Sequence, residues 1–341
     1  MPLKKFICPD GEEIEIHQCL AEGGCRMKDR CAARPVLKLM ASSDREWKGN
    51  PSTTQLLKGT MEAFLMIQHP YATSPDKMAF QVHGSGTHYA LEKHGDEHSQ
   101  AELDLSGDSG SIRPDVLECE NGVIVMIDYK ITGSFVVAKS LGIYFEDVPV
   151  LDPLTNEQLI FKSGARKGQG KTRKEVRRDP KLADVREWAL QQNNYRIKLE
   201  KECLRGLDGK FYRKEDAPKG SVKFRVHRMK IQAIVRDGGT AMSSSRGIER
   251  NIYLIDLPKI PDEQVKEYFK RKRDDLLQAV KQGHWSTPCN DIERWEDRKC
   301  QDFCAVKRVC PYWIEKYSKC IDGEIQDNGG SDQIGEDGVP L

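Results

Sequence analysis

The sequence predicts a mixed α/β fold, and three observations carry that prediction. Residues 111–137 alternate or run apolar with β-branched residues on both sides of Asn121-Gly122, a hairpin signal. Residues 222–235 and 252–257 read as a further pair of strands separated by a Gly- and Ser-rich loop. Apolar residues recur at helical spacing after Ser52 and again after Pro261. Strands interleaved with helices point to a mixed sheet with helices packed against it.

In chain order, the apolar stretch from Pro35 to Met40 reads as a short helix. A second helix follows Pro51 and Ser52, because Ser52 is a suitable N-cap and Leu56, Leu57, Met61, Phe64 and Leu65 share one face. If Asn121 and Gly122 are the two loop residues of the hairpin, counting outward pairs Val116 with Ile127 and Asp115 with Asp128. Residues 161–181 hold nine Lys and Arg against two acids and read as a flexible basic loop. A charged amphipathic helix runs from Pro261 to about Gln282. The last 21 residues have six acids, five Gly and no Lys or Arg, the composition of a disordered tail. The resulting division is a cysteine-rich segment with a helix at 1–50, a core at 51–285, a second cysteine-rich segment at 286–320 and the acidic tail at 321–341.

At 341 residues the chain can bury a substantial core, as one large domain or two small ones. Its 54 Lys and Arg against 53 Asp and Glu give a formal charge of +1, so any affinity for a polyanion must come from local charge. The mean hydropathy of −0.64 marks a soluble chain. The sequence has no apolar run near the ~20 residues of a membrane span, and its first residues, MPLKKFICPDGEEIEIH, lack the apolar centre of a secretory signal. A cytoplasmic location and no membrane partner are expected. In a reducing compartment the 11 cysteines are better read as metal ligands than as disulfides. Nine of them crowd the two ends, and the isolated Cys119 and Cys203 read as small buried hydrophobes.

The paired aspartates of the hairpin point to chemistry. Side chains directly opposite on antiparallel strands have Cβ atoms ~4.5–5.5 Å apart, and like charges there destabilise unless compensated. A divalent cation between Asp115 and Asp128 is the natural compensation. Strand side chains repeat every two residues, so Lys130 shares the face of Asp128 and Tyr129 points away. Two carboxylates and an ammonium in one patch can hold a hard cation and stabilise charge developing on a phosphodiester.

Pro114-Asp115 followed by Asp128-Tyr129-Lys130 resembles motifs II and III of the PD-(D/E)xK nucleases. Three further features fall in the order of the RecB-like branch of that superfamily, the branch that includes the CRISPR-associated exonucleases and the AddB nuclease domain. GSGTHYALE, residues 84–92, is similar to the motif whose histidine, here His88, completes the metal shell. Gln191 and Tyr195 resemble the Gln-x3-Tyr motif of a helix bordering the active site, where they contact substrate or brace the site. Cys31 with Cys300, Cys304 and Cys310 resembles the four-cysteine [4Fe–4S] staple that ties the two ends of these nucleases together.

The resemblance spans residues 31–315. It implies a restriction-endonuclease-like core, with a central mixed sheet flanked by helices and the termini joined by a cysteine-ligated cluster. It further implies Mg or Mn held by His88, Asp115 and Asp128, water oriented or activated by Lys130, and DNA with a single-stranded end as substrate. The sequence departs from the family in having three residues between Cys300 and Cys304, where two are usual. Cys8, Cys19, Cys25 and Cys289 have no place in the family pattern. They permit a second site, such as tetrahedral zinc, or two sequence-local sites made of Cys8/Cys19/Cys25/Cys31 and Cys289/Cys300/Cys304/Cys310. The stapled cluster is the favoured arrangement, and the fate of the extra four is open.

GARKGQGKT, residues 164–172, suggests a phosphate-binding loop but has Ala165 where that pattern needs Gly, so nucleotide binding is rejected there. The same segment, with Arg166, Lys167, Lys171, Arg173, Lys174, Arg177 and Arg178, is expected to meet DNA phosphates without reading sequence. The expected function is therefore a metal-dependent deoxyribonuclease. The alternative is a non-catalytic DNA-binding or adaptor protein on the same scaffold, which would be expected to lose one member of the Asp115, Asp128 and Lys130 set.

Overall fold

The computed structural model describes residues 3–27, 29–42, 47–96, 99–101 and 114–317. The acidic tail, Cys320 and the first three residues of the expected hairpin segment lie outside them. The chain opens with β1 (Leu3–Ile7) and β2 (Glu13–Glu15), which pair antiparallel. The turn between them is closed by Cys8 N–H donating to Glu12 O and Gly11 N–H donating to Cys8 O, both at 2.8 Å. Helices α1 (Ile16–Leu20) and α2 (Arg34–Ser42) follow, the second at the stretch whose apolar residues predicted it.

The helix expected after Ser52 is two helices, α3 (Thr53–Leu57) and α4 (Thr60–Gln68). Ser52 caps α3 reciprocally with Gln55. The break falls at Gly59, where a Cβ would collide with Cys289 Sγ and stand 2.9 Å from the Cys289 Cβ. Next come β3 (Tyr71–Thr73), which adds parallel to β1, and the 18-residue α5 (Pro75–Glu92), started by Ser74 and Pro75. Leu3, Phe6, Ile14, Leu37, Met40 and Met78 bury a small core between these first elements.

The main sheet collects β4 (Ser99–Ala101), β5 (Val116–Glu120) and β6 (Val123–Thr132) with two later strands. From β6 the chain enters α6 (Ser134–Ser140) and then β7 (Ile143–Pro149) and β8 (Thr172–Arg178), which pair only with each other. Helix α7 (Arg186–Glu202) returns it to the core, followed by the β9 (Cys203–Arg205) and β10 (Phe211–Arg213) hairpin. Strand β11 (Arg228–Val235), the short α8 (Ala241–Ser245) and β12 (Ile252–Leu257) complete the sheet, in the order β12-β11-β6-β5-β4. Strands β6 and β11 run parallel from Arg228 opposite Val125 to Val235 opposite Thr132, and the other neighbours run antiparallel, so the sheet is mixed as expected. Ladder pairing in β11 begins only at Arg228, because Val222 is drawn off to bridge Arg205 and the Val226 N–H donates to Glu200 Oε1.

Alternation shows where the core sits. Met229, Ile231, Ala233 and Val235 of β11 are buried, with Tyr253, Ile255 and Leu257 of β12 and Leu199 of α7. Helix α9 (Asp262–Gln282), ended by Gly283 at φ +67, packs on α4 and α7. The chain closes through α10 (Asp291–Arg294) and α11 (Pro311–Tyr317). Among the described residues no helix is long and apolar enough to cross a membrane.

The expected basic loop is corrected: residues 172–178 are a strand of a two-stranded arm. Phe145 pairs with Val176 and Asp147 with Lys174, while Arg177 reaches Glu146 at 2.9 Å. The strand does not show in its own residues, because Val176 is the single apolar one in TRKEVRR and the pairing that forms it lies some thirty residues upstream.

Candidate active site and the cysteine clusters

The register of β5 on β6 is the one counted from Asn121-Gly122, through Val116 opposite Ile127. Asn121 and Gly122 both take positive φ, +50 and +76, as a two-residue hairpin turn requires. Asp115 lies one residue beyond the ladder, and its Oδ2 accepts from the Tyr129 N–H at 2.7 Å, which fixes the carboxylate against β6 beside Asp128. Lys130 is on the same face as Asp128, with Nζ 2.5 Å from Asp128 Oδ2. His88 arrives from α5, its Nδ1 3.3 Å from Asp115 Oδ1 and its ring edge-on to Tyr129. Four side chains separated by up to 42 residues in sequence thus meet at one corner of the sheet.

The electrostatics of this corner are those of a strained charge cluster. Burial pushes the Asp128 carboxyl up to about 6, the Asp115 charge adding to the effect and Lys130 opposing it. Burial acts to lower Lys130, but the Asp128 charge and hydrogen bond, with the Asp115 charge, together outweigh it and hold the ammonium above its usual range. His88 is raised, chiefly by its hydrogen bond to Asp115 and against the effect of burial. Asp128 is only 3% exposed, and its Oδ2 meets the Lys130 ammonium at 2.5 Å and no other donor among the described residues. A buried carboxylate is costly unless opposite charge compensates it, and two hard oxygen donors with an imidazole suit Mg or Mn.

Helix α7 brings Gln191 and Tyr195 to the site. Gln191 Nε2 donates to the Tyr195 hydroxyl at 3.2 Å, and Tyr195, 7% exposed, lies within electrostatic reach of Asp128 and Lys130. Sequence reasoning missed Glu187, one turn before Gln191 on the same helix face and sensitive to the charges of Lys130 and Lys299. Its spacing of four from Gln191 was the available signal. The adjacent Gln192 is fully buried, and neither end of its amide has a partner among the described residues.

The cysteines separate by end of chain. Cys8, Cys19, Cys25 and Cys31 line one cavity under β1 and α1. Cys289, Cys300, Cys304 and Cys310 line another, floored by Met61, Leu65 and Val306. The expected set of Cys31 with Cys300, Cys304 and Cys310 is not brought together, nor is Cys289 with Cys8, Cys19 and Cys25; Cys31 stands with the other N-terminal thiols because the chain folds back on itself between α1 and α2. In the C-terminal cavity burial pushes Cys289 up to about 12 and Cys304 up to about 11. Cys203 is buried as expected, and Cys119 is half-buried against the main core. Among the described residues no three His, Cys, Asp or Glu side chains are gathered tightly enough to hold a metal ion as they stand.

The cations of the arm are partly engaged within it. Arg173 and Arg177 pair with Glu175 at 2.7 and 2.9 Å, and Arg178 donates to Leu141 O. Arg166 and Lys171 stand over the Phe161 ring, each 5.6 Å from its centroid. Lys167 and Lys174 lie on exposed parts of the same arm.

No family model matches this chain, and no curated protein matches it. Of solved structures, the crystal structure of SSO0001 aligns over 81% of this chain and 94% of that chain, with 12% identity and a TM-score of 0.36. A likeness that slight carries no argument about fold or function.

Proposed function

We propose that this chain is a metal-dependent DNA nuclease of the PD-(D/E)xK, RecB-like type, acting on DNA with a single-stranded end. The observation that carries the reading is the corner formed by Asp115, Asp128, Lys130 and His88, with Asp128 buried and its Oδ2 against the Lys130 ammonium. His88, Asp115 and Asp128 would hold Mg or Mn. A bound ion of that kind supplies Lewis acidity toward a phosphodiester and lowers the pKa of a water. Hydrolysis joins the water oxygen to phosphorus and breaks one P–O ester bond, the leaving oxygen taking up a proton.

The chain's own residues supply the rest. Tyr129 N–H and His88 hold the Asp115 carboxylate in place. Lys130, charged because of Asp128, orients the attacking water and faces the negative charge that grows on the phosphate. Gln191 and Tyr195 brace Lys130 from α7. The arm carrying Arg166, Lys167, Lys171, Arg173, Lys174, Arg177 and Arg178 adds affinity for phosphates without choosing a sequence. The thiols of Cys289, Cys300, Cys304 and Cys310 fit a thiophilic centre such as a [4Fe–4S] cluster by their donor type and shared cavity.

The test is digestion of end-labelled single- and double-stranded DNA, and of RNA of the same sequence, with Mn, Mg or chelator. Loss of label from single-stranded ends with either metal and none with chelator is expected. Absence of cleavage on every substrate, or cleavage of RNA alone, would overturn the reading.

A further inference from the structure

The four-cysteine staple implied by the nuclease resemblance draws Cys31 to the C-terminal thiols, whereas in the structure Cys31 lines the N-terminal cavity. We infer that Cys8, Cys19, Cys25 and Cys31 form a four-thiolate site of their own, which takes one thiophilic divalent ion, zinc, and is independent of the C-terminal cysteines and of the acidic corner.

Four observations lead there. First, all four thiols face one cavity although they come from three local elements: the β1–β2 turn, α1, and the segment before α2. Second, proximity follows the same division. The thiols that interact with Cys8 are those of Cys19 and Cys31, and Cys19 interacts with Cys25 and Cys31. Cys300 and Cys304 interact with Cys310, as does Cys289.

Third, Arg30 folds the segment back. Its Nη1 and Nη2 donate to Cys19 O at 2.7 Å and Ala21 O at 3.1 Å, which carries the adjacent Cys31 to the end of α1. Arg26 lines the cavity as well, anchored by Asp10 at 3.4 Å. A zinc ion with four thiolates has a net charge of −2, which the Arg30 guanidinium at its edge offsets in part; Arg26 is already shared by Asp10 and Glu12.

Fourth, residues 21–33 contain no helix or strand among the described residues, and the core beneath them is small. A segment of that kind is commonly ordered by a metal, whose binding is then coupled to local folding.

The test is the metal content of the full-length, untagged protein purified without oxygen. Elemental analysis of the wild type should find one zinc per chain. The pair Cys25→Ser with Cys31→Ser should lose that zinc and keep whatever the C-terminal set holds; Cys304→Ser with Cys310→Ser should do the reverse. Should either pair fail to fold, X-ray absorption at the zinc edge of the wild-type protein decides, with four sulfurs at about 2.3 Å expected. Zinc retained by the Cys25/Cys31 variant, loss of both metals on changing Cys31 alone, nitrogen or oxygen ligands at the zinc edge, or iron in the N-terminal set would each overturn the assignment. None of these readouts depends on cleavage of DNA, so the nuclease reading can fail while this one stands.

Discussion

Lys130 is the residue through which chemistry and binding separate. Its ammonium is tied to Asp128 at 2.5 Å, one of many cations a DNA backbone could meet, yet the one placed beside both carboxylates. Lys130→Ala should therefore lower the cleavage rate by about 100-fold or more while DNA affinity in chelator changes little, a contrast measured by single-turnover digestion beside fluorescence anisotropy. Undiminished manganese-dependent cutting by that variant would falsify the mechanism. Gln192 offers a stability test at the same scale. Both polar ends of its buried amide lack partners among the described residues, so Gln192→Leu should raise stability by about 1–2 kcal/mol in denaturant titration. A loss of stability would mean that the amide has an ordered partner, such as water. The site residues best read from sequence were Asp115, Asp128 and Lys130, since a two-residue turn fixes register and register fixes which side chains share a face. Glu187 was not read, because a carboxylate in the first turn of a helix looks like an ordinary dipole partner until its neighbours from other elements are placed.

Elements tell a different story where their partners are remote. The β7–β8 arm was invisible in the basic segment because strand pairing supplied what its composition lacked, and that pairing brought acids with it. Across residues 143–178 eight Lys and Arg now stand with five Asp and Glu, so the arm is far less one-signed than residues 161–181 alone. Replacing residues 150–171 by a short Gly-Asn turn should leave the melting temperature of the core nearly unchanged, since β7 and β8 pair only with each other. The same change should weaken DNA binding and flatten its salt dependence, by the loss of Lys162, Arg166, Lys167 and Lys171; an unaltered salt slope would remove the arm from the interface. The break between α3 and α4 makes a sharper case. Gly59 lets Cys289 approach the backbone, so Gly59→Ala should cost about 1–3 kcal/mol and lower the metal content of the C-terminal set, read by thermal melting and elemental analysis.

For the molecule as a whole, the C-terminal cysteine cavity is where distant parts of the chain join. It is floored by α4 residues, and Lys299 bonds to Glu62 at 2.6 Å across 237 residues of sequence. The N-terminal unit is fastened to the same region by Arg308 to Glu13 at 3.1 Å and Lys77 to the Asp302 carbonyl at 3.0 Å. The termini are thus joined by packing and ion pairs. On the proposed reading a thiolate centre there would hold the fold, whereas the acidic corner would strain it. Cys310→Ala should therefore reduce folded yield and melting temperature more than Asp128→Ala does, and equal losses would argue against a structural centre.

What the sequence by itself determined was local. The turn at Asn121-Gly122, the register it imposes, the capped helix after Ser52 and the helix from Pro261 follow from dihedral preference and side-chain period acting over a few residues. The tertiary structure alone decided which cysteine stands with which, that a basic segment is a strand, and that His88 meets Asp115. Each of these depends on where the chain goes between distant residues, and no spacing along a sequence encodes a path through space.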